Sequence, residues 1–462
     1  MDTSARSVYD LLFGTASVDP DRPCLLLDDG TVVTYGDLGA RAAVLTGGLR
    51  SHDVQVGDRV VVQVTKSVDA VALYLACLRA GAVYVPLNTA YTDREVDGFV
   101  TDAAAALFVD EGVLGSLGDA SPDHEIVDRT GADWAAMLYT SGTTGRSKGA
   151  MLSCDNLVSN ARALHDAWRF SPDDVLVHVL PVFHVHGLFV ALHCAFLAGA
   201  AVRFHAGFDP DAIVEDLGRS TVMMGVPTHY HRLLDQTDLG VSDCAGMRLF
   251  TSGSAPLLAH RHEEFESRTG HRIVERYGMT ETMILTSNPY DGERVPGTVG
   301  FPLPGVDLRI GLDDIVEVTS DGCFLGYWGM PHKTAEATTG DGWFVTGDVG
   351  SLDAHGRLTL AGRKSDLIIS GGLNIYPKEI EDVLDAVDGV EESAVVGIPD
   401  PDFGESVVAA VVGGSGEDAM RAACDVALAR FKHPRRYVAV DELPRNAMGK
   451  VQKAVLRERL SR

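Results

Sequence analysis

Between Asp58 and Leu87 the chain passes from a valine-rich run, DRVVVQV, through SVDAVALYLACLRA to a second short run, VYVPL. The outer segments have the length and β-branched content of buried strands, and the middle one has helical periodicity. A strand, a helix and a strand in succession make a crossover. Crossovers of this kind produce parallel sheets covered on both faces. The texture recurs at 134–139, 156–168, 174–180, 187–198, 201–205, 211–218 and 221–226.

The alternation therefore predicts an α/β protein whose large N-terminal domain, residues 1–362, holds two parallel-type sheets. Around 296–361 short strands and glycine turns take over, in VPGTVGFPLPGVDLRI and GRLTLAGR, and predict a small β-barrel-like subdomain. Past Gly362 a helical segment, YPKEIEDVLDAV, precedes a strand-like VEESAVVGIPD. These predict a small α+β C-terminal domain over 367–462, joined by a short connector at 363–366. A chain of 462 residues is long enough for two or three such units. The loosest connection is expected over 111–132.

The formal charge of −26, from 39 basic and 65 acidic residues, disfavours nucleic acid and anionic membrane surfaces as partners. An anionic substrate must then meet local positive charge inside a cleft. Seven cysteines, at 24, 77, 154, 194, 244, 323 and 424, never form CxxC, so they predict reduced thiols and no zinc site. The N-terminus MDTSARSVYD lacks the apolar core of a signal peptide, and the longest apolar run, Leu188–Ala200, is too short to span a bilayer. A cytoplasmic location is expected.

YTSGTTGRSKGAML, Tyr139 to Leu152, follows the strand-like WAAML and precedes a helix expected to begin near Asp155. Its hydroxyls, glycines and backbone N–H groups suit phosphate oxygens, and Lys148 adds a mobile cation. By composition alone such a loop is most often a surface turn, and it does not have the GxxxxGK[ST] spacing. The whole string, however, resembles the phosphate-loop signature of the adenylate-forming superfamily, which includes acyl-CoA synthetases, luciferases and peptide-synthetase adenylation domains. Four further motifs stand in the matching order: RYGMTET (Arg276–Thr282), WFVTGD (Trp343–Asp348), GRKSDLIISGG (Gly362–Gly372) and PRNAMGKVQK (Pro444–Lys453). The resemblance covers essentially the whole chain.

It implies roles residue by residue. Thr140, Ser141, Gly142, Thr143, Thr144, Gly145 and Lys148 would face the phosphates of ATP. Gly253, Ser254 and Ala255, with Glu275, Tyr277, Gly278, Met279 and Thr280, would surround AMP, Tyr277 stacking on adenine. Asp348 would accept the ribose hydroxyls, and Arg363 would contact ribose or phosphate. Glu281 and Thr140 would hold Mg²⁺, a hard ion suited to carboxylate and water. Lys450 would stabilise charge at the α-phosphorus, although a lysine in a Pro/Asn/Gly loop is ordinarily a solvated surface charge. Ser370, Gly371 and Gly372 would line the CoA path. Residues 363–366 would be the hinge of a mobile C-terminal domain, and Ser365 stands where relatives often carry Asp or Lys at the pivot. A pivot needs a pliable backbone rather than a charge, so the mechanism is expected to survive.

The segments expected to shape the acid pocket are polar: PVFHVHGL with His184 and His186, GVPTHYHRLL with Arg232, and ERYG with Arg276. A guanidinium could clamp a second carboxylate through paired hydrogen bonds. Together with SGSAPL and TSNPYDGERVPGTVG, these segments resemble the malonyl-CoA synthetases. That branch implies ligation of malonate, or methylmalonate, to CoA with ATP and Mg²⁺, with His184 at the junction of acyl pocket and thiol path. Another short or aryl acid, or transfer of the acyl group to a separate carrier protein, stays open. So does the choice between monomer and homodimer.

Overall fold

The structure is a computed structural model, and it describes residues 8–13, 19–140, 147–447 and 449–461. The crossover at the start of the chain forms as expected. Strand Arg59–Val62 leads into helix Val68–Ala80, capped by the Ser67 side chain on the Ala70 N–H. The helix stops at Gly81, whose φ of 70° is left-handed and closes the turn into strand Val83–Pro86. Strand 59–62 pairs in parallel with both 83–86 and Leu107–Val109. The helix between them is buried on nearly every side, which explains its continuous apolar sequence.

Two large sheets result. A six-stranded sheet holds parallel strands 107–109, 59–62, 83–86 and Trp134–Thr140, then antiparallel Lys148–Ser153 and Gly326–Tyr327. A nine-stranded sheet is parallel across 274–279, 249–252, 222–225, 175–178, 201–204 and 23–27, with antiparallel edges at 283–287, 301–302 and 32–34. The short Val-rich runs are its central strands, as strands covered on both faces must be. Helices such as Cys154–Ala167 and Pro210–Leu217 cover them.

The small β-rich part is an antiparallel four-stranded sheet of 306–310, 315–320, 344–352 and 358–363. A single tight turn, Lys364–Asp366, leads from its last strand to Ile368–Ser370, the start of a separate five-stranded sheet. That sheet carries its own apolar clusters, one around Ile380, Val395 and Val407, the other around Val396, Leu443 and Leu456. The stretch 111–132 opens with a helix, Glu111–Leu117, and is then pinned by Asp123 N–H to Ala43 O and Val127 N–H to Arg79 O. Among the described residues no helix is long and apolar enough to cross a membrane, and all seven cysteines are free thiols.

Candidate active site

A cleft of about 970 Å³ lies where the six-stranded, nine-stranded and four-stranded sheets meet, and the C-terminal hairpin covers its mouth. The phosphate-loop motif contributes its two ends. Strands 134–140 and 148–153 are antiparallel, with Thr140 opposite Lys148, and the following helix begins only at Cys154. Ser141, Gly142, Thr143, Thr144 and Gly145 lie outside the described residues. Thr140 and Lys148 both line the cleft.

Across from them stands Glu281, buried at 5% exposure. Its Oε1 accepts from the Tyr327 hydroxyl at 2.9 Å and lies 3.4 Å from Thr140 Oγ1. The Tyr327 ring also carries Lys148 Nζ 4.1 Å from its centroid. Burial and the neighbouring Glu281 charge push the Tyr327 phenol upward, so it stays a donor. One carboxylate with a nearby hydroxyl suits Mg²⁺, which keeps several waters and takes its other ligands from phosphates. Among the described residues no group of three His, Cys, Asp or Glu forms a metal cage.

Asp348 is buried between two donors. Tyr277 Oη donates to its Oδ2 at 2.5 Å, and Arg363 Nε lies 2.9 Å from its Oδ1. Arg363, Lys364, Ser365 and Lys450 line the same cleft. Lys450 sits on a tight hairpin. Its N–H donates to Asn446 Oδ1 at 3.0 Å, Asn446 N–H donates to Lys450 O at 3.0 Å, and Gly449 turns the corner with φ 71°. Burial and the Arg363 charge hold the Lys450 ammonium below its ordinary range, against the opposing pull of Asp348 and Asp366.

One end of the cleft is built from strand Val274–Met279 and the segment around His184. Strand side chains alternate between faces, so Arg276 and Gly278 reach the cleft. Glu275 points behind the wall, 3.3 Å from His262 Nδ1 and 3.2 Å from the Gly297 N–H. The Tyr277 ring packs with Leu285 and Val316 rather than lining the cleft. Met279, Thr280 and Ser254 are wall residues, Ser254 with a left-handed φ of 70°. Gly253 is needed underneath, since a Cβ there would lie 2.5 Å from the Arg276 guanidinium carbon. Ala255 is not part of the lining.

Arg276 is 4% exposed, and its Nε and Nη2 have no hydrogen-bond partner among the described residues. Burial lowers it to about 10. His184 and His186 stand beside it, and a π-helix, His186–Leu192, begins there. Such wide turns are frequent at functional sites. Burial, reinforced by the Arg276 charge, lowers His184 to about 4 and His186 well below its usual range. Both rings are therefore neutral at pH 7.

Arg232 corrects an expectation. Helix Pro227–Gln236 buries Pro227, Tyr230, Leu233 and Leu234, which turns position 232 outward. Its exposed guanidinium lies over Phe208, 4.7 Å from the ring centroid, outside the cleft lining. Ser370, Gly371 and Gly372 also stand outside it, at the rim of the five-stranded sheet, where Gly371 N–H donates to Phe403 O. Sequence reasoning missed Tyr327, whose only signal is the Gly-Tyr-Trp turn, in which Gly326 takes a φ of 127°.

Residues 12–323 match the AMP-binding enzyme family, and residues 379–450 match the AMP-binding enzyme C-terminal domain. The chain belongs to the AMP-binding enzyme family. Its fold superposes on ATP-bound MatB from Rhodopseudomonas palustris with a TM-score of 0.94 and 46% identity, covering 98% of this chain and 99% of that one. The apo structure of the same protein gives 0.83. Malonate–CoA ligase of Arabidopsis thaliana is 32% identical over 99% of this chain and 89% of its own length. Feruloyl-CoA synthase of an Amycolatopsis species is 33% identical, with 93% of this chain and 94% of that protein covered. This AMP-binding enzyme thus resembles ligases for acids as different as a small dicarboxylate and an aryl acid, and the choice between them falls to the pocket.

Proposed function

We propose that this enzyme, an adenylate-forming CoA ligase, uses malonate as its acid, with methylmalonate as a second substrate. The observation that carries the reading is Arg276, buried at the His184 end of the cleft with two guanidinium nitrogens lacking a partner among the described residues. A buried guanidinium without a counter-charge is costly, and a carboxylate would supply both the charge and paired hydrogen bonds. A monocarboxylate would spend its only carboxyl on the reaction. Malonate has a second one to give Arg276. Similarity to MatB and to a malonate–CoA ligase supports the same choice.

The remaining residues supply the chemistry. In the first half-reaction a malonate carboxylate oxygen attacks the α-phosphorus of ATP, and pyrophosphate leaves. Lys450 and Arg363 place positive charge where negative charge develops on the oxygens of the five-coordinate phosphorus. Glu281 and Thr140 would hold Mg²⁺, which neutralises phosphate charge when bound. Asp348 would receive the ribose hydroxyls, exchanging its present donors for them. In the second half-reaction the CoA thiolate attacks the acyl carbon and AMP leaves. Neutral His184 offers a ring nitrogen to the thiol proton. Ser370, Gly371 and Gly372 would join the CoA path after the C-terminal sheet turns about 363–366, since they stand outside the cleft in the present arrangement.

A panel of mono- and dicarboxylic acids scored by CoA-dependent AMP release tests the reading. Malonate and methylmalonate should dominate. Equal turnover of acetate or an aryl acid would refute it.

A further inference from the structure

The hairpin that carries Lys450 does not merely hang over the cleft. Gly449, the residue before the lysine, rests on Thr228 in the first turn of helix Pro227–Gln236, which belongs to the N-terminal domain. A Cβ added at Gly449 would lie 2.6 Å from Thr228 Oγ1 and 3.0 Å from Thr228 Cγ2. The first of these is shorter than real Cβ contacts essentially ever are, so the hairpin backbone approaches the Thr228 side chain as closely as a glycine allows. The hairpin itself is stiff. Gly449 N–H donates to Asn446 O at 2.9 Å, Gln452 N–H to Pro444 O at 2.7 Å, and Arg445 Nη1 to Gly449 O at 2.6 Å. Arg445 is in turn paired with Glu392 on the five-stranded sheet. Where Gly449 lands therefore fixes where Lys450 points.

We infer that Thr228 is a positioning residue, the seat against which Gly449 stops the hairpin so that Lys450 reaches the α-phosphorus. The inference rests on the proposed role of Lys450 and deepens it. Only the phosphoryl step needs a cation at that place. Attack of a thiolate on the acyl carbon makes no demand on it, and Ser370, Gly371 and Gly372 are not at the cleft while the hairpin is seated. The seat should thus matter to adenylation and not to thioester formation.

The experiment measures the two half-reactions separately in four full-length variants. Adenylation is read as pyrophosphate released from ATP and malonate in a single turnover without CoA. Thioester chemistry is read in reverse, as CoA released from malonyl-CoA and AMP without pyrophosphate. Lys450→Ala should lose adenylation, and its failure to do so would remove the underlying reading rather than the seat. Gly449→Ala should slow adenylation by about a hundredfold and change CoA release by less than threefold. Thr228→Ala alone, which removes the stop, should slow adenylation by about tenfold and leave CoA release unchanged. The double variant, in which the two shortest contacts are gone and the 3.4 Å contact with Thr228 Cβ remains, should regain at least tenfold of the lost rate. The left-handed φ at 449 keeps recovery short of complete. The seat is overturned if Gly449→Ala adenylates normally, if both half-reactions fall together, or if Thr228→Ala brings no recovery.

Discussion

The Tyr327 hydroxyl donates to Glu281 Oε1 at 2.9 Å across the floor of the cleft, joining two sheets that meet there. The same ring lies under Lys148 Nζ. One aromatic side chain therefore sets both the carboxylate proposed for Mg²⁺ and the cation proposed for the phosphates.

Tyr327→Phe keeps the ring beneath Lys148 and removes only the donor to Glu281. A hydrogen bond to a charged acceptor contributes about 1.5–3 kcal/mol, so kcat/KM for ATP should fall about ten- to a hundredfold. The Mg²⁺ concentration giving half-maximal rate should rise with it. An unchanged Mg²⁺ dependence would separate Tyr327 from the metal.

Arg276→Met should lower kcat/KM for malonate by about a hundredfold or more, roughly 3 kcal/mol of a buried charge-assisted contact. The empty protein should not lose stability and should gain some, because an unpaired buried charge is replaced by an apolar chain. Gly253→Ala should copy the kinetic defect, since its methyl group occupies the place of the guanidinium. Acid-panel kinetics and thermal melts on the two variants check both claims together. A stable, fully active Arg276→Met would end the carboxylate-clamp reading.

Lys450 is held below its ordinary ammonium range by burial and by Arg363. The adenylation rate should therefore decline on the alkaline side at a lower pH than a free lysine's 10.5. Arg363→Gln removes a neighbouring positive charge and should move that decline upward. A pH–rate profile of pyrophosphate release on each protein decides it, and a downward shift would contradict the assignment.

Buried neutral histidines predict acid sensitivity. His193 is lowered to about 3 and His184 to about 4 by burial, from 6.5 in the unfolded chain. Below pH 6.5 the unfolded chain takes up protons that the folded one refuses. Stability is thus fully present above that pH and lost as pH falls toward 4, by up to roughly 1.4 kcal/mol per unit for each ring. Urea unfolding at pH 7.5, 6.5 and 5.5 should show the decline. His193→Gln, which can still meet the Tyr74 hydroxyl that His193 Nε2 now meets at 2.8 Å, should make the slope shallower.

The parts of the fold that the sequence made legible are those where periodicity and burial agree. Strands 83–86 and 201–204 and helix 210–217 fall within a residue or two of the expected spans. Strand 148–153 escaped because its pairing with 134–140 runs back across a polar loop, and Lys148-Gly149 at its start carries no strand signal. Tyr327 escaped for a related reason. Its partners Glu281 and Lys148 are distant in sequence, and only the folded sheets bring them into contact. Arg232 was misplaced because its motif was read without its helical phase, although Tyr230, Leu233 and Leu234 fix the outward face. Arg276 was legible because a strand entering a motif places alternate residues on one face.

The Arg276 guanidinium, with two nitrogens lacking a partner among the described residues, sets the interests of folding against those of recognition. Selection for heat tolerance alone should discard this arginine early, because many apolar replacements would make the empty protein sturdier. Only selection that includes the acid would keep it. Heat-hardened descendants of this chain should consequently drift toward acids with a single carboxylate, and the identity of residue 276 should record which pressure acted on them.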